Sequence, residues 1–276
     1  MHPTLIQIGP FALHSYGFML ALSFFFGILL AARRAPARGV SSDQVFDTSL
    51  VIVFASIVGA RLMYVLFHRN EMQSFIDVIA VWRGGLTMYG GVLAAMAAAW
   101  YFLRRRNIPF LRMADIIAPS LGLGLMLTRL GCFLNGCCYG KPTDSALGVH
   151  FPESTFGGQL FAGESLHPTQ LYSSAVGLLV VLALLAIDRR RLPEGLLFAF
   201  YLILAGLGRF ALDFLRFYEA NVYLVWSLTV NQLISLGGVL VGVLLFVSRR
   251  HAPSASLTAT LEATTPAAAP ARARSR

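Results

Sequence analysis

Long apolar runs, separated by short polar or basic connections, occupy the chain from about residue 14 to about residue 250. The runs at 14–32, 46–67, 86–103, 113–134, 169–187, 195–214 and 225–248 are long enough to cross the ~30 Å hydrocarbon core of a bilayer as helices. The pattern predicts an all-α integral membrane protein with seven transmembrane helices in one domain, residues 1–250. The first run has no basic segment ahead of it and no convincing small-residue cleavage site, so it is expected to be a retained helix, not a signal peptide. After Arg250 the sequence HAPSASLTATLEATTPAAAPARARSR loses all apolar periodicity and predicts a disordered tail over residues 251–276. No internal repeat of the kind found in inverted-repeat transporters is visible.

Composition adds the solvent. With 57% hydrophobic and 13% charged residues and a mean hydropathy of +0.68, a 276-residue chain has too little polar surface for a soluble globule.

A net charge of +9 raises the question of nucleic acid, but the placement of the charge answers it differently. Arg33, Arg34 and Arg38, then Arg104 to Arg106 with Arg112, then Arg189 to Arg191, then Arg249, Arg250, Arg272, Arg274 and Arg276 fall in alternate connections. The intervening side holds only Arg69, Arg83, Lys141 and Arg216. Such asymmetry predicts an N-terminus outside and a cytoplasmic C-terminus, with attraction to anionic membrane lipids as a secondary effect and no nucleic-acid partner.

Charges inside apolar spans are costly and face a partner, a cavity or a ligand. Arg61, Arg129, Arg209 and Asp213 are in this position. Each alone reads equally as half of a buried ion pair. Arg209, Asp213 and Arg216 recur at i, i+4 and i+7, so Asp213 is the natural partner of one of the two arginines. One carboxylate does not neutralise them all, and the excess points to an anionic ligand. Phosphate suits arginine, whose planar fork donates two parallel hydrogen bonds; in a membrane such an anion is most often a phospholipid headgroup. The stretch WRGGLTMYGG, residues 82–91, places glycines where the third span begins, either to admit a headgroup to a helix N-terminus or to pack helices closely.

TRLGCFLNGCCYGKP, residues 128–142, gathers Cys132, Cys137 and Cys138 beside Arg129. Packing, an outer-face disulfide, and a metal or thiol site are the open readings. A zinc site would need a fourth ligand such as His150 or His167, and neighbouring Cys137 and Cys138 would pair only with strain. The expectation is no metal, no cofactor and no nucleophilic enzyme cysteine.

Together the motifs HSYGFML with Tyr16 and Gly17, GARLMYVLF with Arg61 and Tyr64, GGLTMYGG, RLGCFLNGCCYG, HPTQLY at 167–172 and GRFALDFLR at 208–216 resemble the prolipoprotein diacylglyceryl transferases of bacterial inner membranes. The resemblance runs to about residue 250. It implies a seven-span enzyme that moves the diacylglyceryl group of phosphatidylglycerol onto the lipobox cysteine of a preprolipoprotein, forming a thioether and releasing glycerol 1-phosphate. It implies that Arg129 and Arg209 clamp the phosphate and that Tyr16 and Asn135 line the headgroup pocket. Asp213, where the family usually carries glutamate, would orient Arg209 or Arg216. Gly140 would allow a tight turn after the signature, and His167 would cap a helix or touch the headgroup. Arg61 reads as structural. Three departures accompany the likeness: the family's histidine before the paired glycines is Tyr89, and the asparagine and glutamate of its signature are Cys132 and Cys137. A phenol with its ordinary pKa near ~10 is a poor resting base unless adjacent arginines lower that value, so Tyr89 reads either as such an activated base or as a hydrogen-bond donor to the phosphate, and the general base stays unassigned. The competing class is a lipid-binding or transport protein of the same fold, or a transferase using another anionic lipid or thiol.

Overall fold

The computed structural model describes residues 1–252 apart from 9–10, 73, 82–83, 191, 219–222 and 226–227. The predicted tail lies almost wholly outside the described residues, as do Trp82, Arg83 and Arg191.

Nine α-helices are present among the described residues: α1 Ser15–Arg34, α2 Ser42–Phe67, α3 Phe75–Ile79, α4 Met88–Arg105, α5 Phe110–Asn135, α6 Phe156–Leu160, α7 Thr169–Asp188, α8 Leu196–Asp213 and α9 Val230–Arg249. Three small antiparallel pairs accompany them: β1 Thr4–Ile8 with β2 Phe11–His14, β3 Val149–His150 with β4 Ser165–Leu166, and β5 Tyr223–Val225 with β6 Leu228–Thr229. Six helices, α1, α2, α5, α7, α8 and α9, are long and apolar enough to cross a membrane. The seventh expected span forms as α4, but its glycines, tyrosines and terminal Arg104 and Arg105 keep it less apolar than the rest.

Local signals set the helix starts. Ser41 and Gln44 form a reciprocal capping box that opens α2, so this helix begins four residues before its apolar run. Thr229 and Gln232 do the same for α9. The last predicted span begins too early, at 225, because the β5–β6 hairpin that precedes α9 is itself apolar.

The bundle is inside out relative to a soluble protein. Phe25, Phe54, Phe67, Leu93, Leu179 and Leu244 are exposed on its perimeter, whereas Asp115, Gln170, Asp213 and Thr229 are buried. That distribution is stable only against lipid, where apolar side chains need no cover and backbone polar groups are satisfied within the helices. Helix α5 is central, packing on α1, α7 and α8, while α2 pairs with α4 and α8 with α9.

Close packing answers the question posed by the glycines of residues 84–91. A Cβ on Gly90 would overlap the Gly59 backbone and Met63 of α2, and one on Gly91 would press on the Ser56 carbonyl. These two glycines bring α4 against α2. Gly84 and Gly85 have φ of 86° and 71° and turn the chain into α4.

Candidate active site

The last turns of α5 present Arg129, Cys132 and Asn135 at intervals of three, on one side of the helix. Gly136 then ends the helix in the left-handed conformation (φ 71°), its amide donating to the carbonyls of Cys132 and Phe133. Cys138 is also left-handed at φ 63°, an uncommon state for a residue with a Cβ. This double reversal folds the signature back over the end of α5. The Sγ atoms of Cys132, Cys137 and Cys138 consequently lie within 4.8 Å of one another, all as free thiols. The disulfide considered above is not formed.

The HPTQLY motif holds this loop from beneath. Thr169 Oγ1 donates to the Cys138 carbonyl at 2.9 Å, and Gln170 Nε2 donates to the Cys137 carbonyl at 2.7 Å. Gly140 does not make the expected tight turn. It lies in an extended stretch squeezed between two others, its amide donating to the His167 carbonyl at 2.9 Å and the next amide, Lys141, to the Leu215 carbonyl at 2.9 Å. A Cβ on Gly140 would stand 2.6 Å from His167 Cβ and 2.7 Å from the Leu215 oxygen, so the requirement is for close approach. Of the two roles expected for His167, the helix cap is not made. Helix α7 has no side-chain cap, and the His167 Nδ1 lies 3.5 Å from the Tyr172 hydroxyl.

Asp213 ends α8 and is 3% exposed. Its Oδ1 accepts from the Tyr218 hydroxyl at 2.6 Å and pairs with Arg209 Nη2 at 3.0 Å, while its Oδ2 accepts from Thr229 Oγ1. Of the two candidate arginines, Asp213 therefore orients Arg209. Arg216 lies beyond the end of α8, bridged to Gly140, so the i, i+4, i+7 repeat does not continue on one helix face. Tyr218 is the hub of the group: its hydroxyl also accepts from Arg209 Nη2 at 2.9 Å and from Asn231 Nδ2 at 3.1 Å. Burial, and then the hydrogen bond given to Asp213, hold the Tyr218 hydroxyl above the usual tyrosine range, which keeps it a donor.

The arginines and cysteines share one electrostatic environment. Arg129 acts on Tyr16, Cys138 and Arg209, and Arg216 acts on Cys138 and Arg209. Hydrogen bonds from Cys132 and then from Cys137, reinforced by Arg216 and Arg129 against the desolvation of the site, hold the Cys138 thiol far below the usual cysteine range. Asn135 meets Cys137 through its side chain. Among the described residues neither Arg129 nor Arg216 has a carboxylate partner. Arg216 lines a cavity of about 320 Å³ together with Cys137, Cys138, Tyr139, Phe217 and Tyr218, among others.

The fold thus unites Tyr16, Arg129, Asn135, Arg209 and Asp213. Arg216, the other arginine offered to Asp213 by the sequence, joins them, and the fold adds Tyr218, Thr169 and Gln170, for which the sequence offers only the HPTQLY motif and the nearness of Tyr218 to Asp213. Tyr89 stands apart. It is 45% exposed in the first turn of α4 and has no hydrogen bond, ion pair or ring contact among the described residues. Arg61 is structural: it donates to the carbonyls of Val78 (3.0 Å), Gly84 (2.6 Å), Gly85 (2.9 Å) and Asp77, pinning the segment before α4.

The chain is 35% identical over 256 residues to the phosphatidylglycerol–prolipoprotein diacylglyceryl transferase of Geobacter sulfurreducens, covering 90% of this chain and 96% of that protein. It is 32% identical over 247 residues to the protein of the same name from Clostridium tetani, covering 89% and 97%. For the one from Pseudomonas syringae the figures are 33% over 269 residues, 93% and 97%. The family description "prolipoprotein diacylglyceryl transferase" matches residues 3–248. The multi-pass helical architecture and this match over nearly the whole bundle lead to one conclusion: the chain belongs to the prolipoprotein diacylglyceryl transferase family.

Proposed function

We propose that the protein transfers the diacylglyceryl group of phosphatidylglycerol to the lipobox cysteine thiol of preprolipoproteins in the bacterial inner membrane. The observation that carries this reading is the electrostatically coupled trio Arg129, Arg209 and Arg216, the last of which lines a cavity, with Asp213 as the one carboxylate paired with any of them among the described residues. A phosphate completes such a site, because it supplies the missing negative charge and accepts paired hydrogen bonds from guanidinium.

In the reaction the acceptor thiolate forms a bond to the glyceryl carbon next to the phosphate. The carbon–oxygen bond breaks and its electron pair leaves with glycerol 1-phosphate. The thiol proton ends on the phosphate product or in water. Charge therefore gathers on the phosphate oxygens in the transition state, where arginines fixed in advance stabilise it most. Arg209 is fixed by Asp213 and Tyr218, and Arg129 and Arg216 approach from α5 and from the segment after α8. Tyr16, Asn135, Gly140 and His167 belong to the headgroup pocket and its walls, and Tyr89 offers a free hydroxyl to the phosphate as the substrate enters. The positive residues of the alternate connections support an orientation with this end of the bundle outside and the C-terminus in the cytoplasm.

The test uses the purified full chain in lipid nanodiscs with phosphatidylglycerol labelled in its acyl chains and a synthetic lipobox peptide. Transfer of label to the peptide, blocked when its cysteine is replaced by serine, is expected. Bound lipid without any labelled peptide would instead identify a lipid-binding homologue, a reading favoured by Tyr89 and Cys137 at positions where the family has histidine and glutamate.

A further inference from the structure

The transferase reaction takes its nucleophilic thiol from the acceptor and leaves the protein's own three cysteines without a task. An enzyme thiol alkylated by the donor would become a thioether, a very poor leaving group for a second transfer. Yet the fold gathers them with some effort. Two left-handed residues, Gly136 and Cys138, on either side of Cys137, reverse the chain, and the second is strained for a residue with a side chain. Thr169 and Gln170 secure the reversed loop through the two cysteine carbonyls. Three thiols on residues separated by four and by none in the chain thereby come within 4.8 Å of one another.

A metal bonded to three thiolates at ~2.3 Å holds its sulfurs about 4 Å apart, so the cluster needs to contract by no more than about 1 Å to become a coordination shell. Among the described residues no histidine or carboxylate joins the three thiols. His150 and His167, the candidates for a fourth ligand, stand elsewhere: His150 is exposed on β3, and His167 turns its Nδ1 to Tyr172. The donor set decides the metal class. Zinc in a closed site takes four ligands, whereas a soft monovalent d¹⁰ cation is satisfied by three thiolates. Charge agrees with this choice. Three thiolates and one monovalent cation leave two negative charges, and Arg129 and Arg216, both without a carboxylate partner among the described residues, act on this cluster. The cavity of about 320 Å³ that Cys137 and Cys138 line supplies a way in.

We propose that Cys132, Cys137 and Cys138 form a three-thiolate site for a soft monovalent cation, copper(I) being the physiological example. Binding replaces the protons still held by the thiols with one cation and changes no oxidation state. The site draws on the arginines of the phosphate clamp, so an occupied site withdraws positive charge from the lipid phosphate.

The test reads metal directly and does not depend on transfer. The full chain, purified and reduced, is titrated anaerobically with copper(I) against a chromogenic copper(I) chelator, and X-ray absorption is recorded on the copper-loaded protein. One copper per chain in a shell of three sulfurs is expected. The affinity should fall by at least about 100-fold in Cys132→Ser and in Cys137→Ser, the upper range for losing only a partner of a metal ligand. A wild-type chain that takes no copper from the chelator, or a shell with fewer than three sulfurs, overturns the proposal, and neither result depends on the folding of a variant. Tighter retention of zinc than of copper(I), in a four-ligand shell, overturns the assignment of the cation.

Discussion

The two ends of helix α5 handle buried charge in opposite ways. Near its start Asp115, fully buried, accepts from Arg38 Nη1 at 2.9 Å and from the amides of Gly195 and Phe198, both at 2.8 Å, so the carboxylate also caps the start of α8. Around it Arg34 and Arg38 share Asp188 at 2.7 and 2.5 Å, and Arg112 pairs with Glu194 at 2.7 Å. Three arginines meet three carboxylates. Fourteen residues on, about 21 Å along the helix axis, Arg129 sits with Arg209 and Arg216, and among the described residues Asp213 is the one carboxylate paired with them. The matched end is closed by its own side chains and clamps α1, α5, α7 and α8 together. At the unmatched end lies a cavity, and on the proposed function its charge is completed by the lipid phosphate. The same residue type therefore has two roles in one membrane helix, and the count of nearby carboxylates separates them.

That contrast is broken most severely at the unmatched end. Arg129→Ala and Arg209→Ala should each lower transfer of labelled diacylglyceryl by about 10²–10³-fold or more, the range for removing one preorganised donor from a transition-state anion, with melting temperatures near wild type. Lysine at either position should restore little, because a point charge lacks the guanidinium fork. At the matched end the currency changes. Asp115→Asn leaves Arg38 without one of its two carboxylates in a buried setting and should destabilise the fold by about 3–5 kcal/mol, seen as a lowered melting temperature in detergent, while the transfer rate per folded molecule is kept.

Smaller effects sharpen the assignment within the unmatched end. Tyr218→Phe removes the hydroxyl that links Asp213, Arg209 and Asn231 and frees Arg209 to move. A loss in transfer of about 10-fold is expected, in line with the ~1.5–3 kcal/mol of a hydrogen bond to a charged group, together with a raised KM for the lipid. Tyr89→Phe keeps the ring and tests the hydroxyl alone. A fall of about 10-fold or more in rate supports its contact with the phosphate, and an unchanged rate leaves this residue a role in packing only.

Much of the fold is legible because membrane helices announce themselves by length and apolarity, and α1, α2, α5, α7, α8 and α9 lie close to the predicted runs. The β-hairpins are not legible in that way. Residues 223–229 are apolar enough to merge with α9 in a hydropathy pattern, and residues 4–8 and 11–14 are short strands beside a helix start. Asp115 is a different omission: it lies close to the edge of its apolar run, and the two amides that satisfy it come from a residue range eighty positions away. Within the site, Arg129, Arg209 and Asp213 are legible as costly charges in apolar segments. Tyr218 is not, since it lies in a connection and acquires its partners only when that connection folds back on α8 and α9. Gly140 is legible as a constraint but not as which one. A tight turn and a close approach both demand glycine, and only the positions of His167 and Leu215 distinguish them.

The central claim, that the unmatched arginines hold a lipid phosphate, is tested most directly by lipid binding without turnover. Native mass spectrometry of the full chain with phosphatidylglycerol, in the absence of any acceptor peptide, gives the fraction of protein carrying lipid as its concentration rises. The account predicts that Arg129→Ala binds at least about 10-fold more weakly than wild type, the range for losing a charge-assisted hydrogen-bonding partner, and that Arg34→Ala, at the matched end, binds like wild type. Equal retention of phosphatidylglycerol by wild type and Arg129→Ala would contradict it.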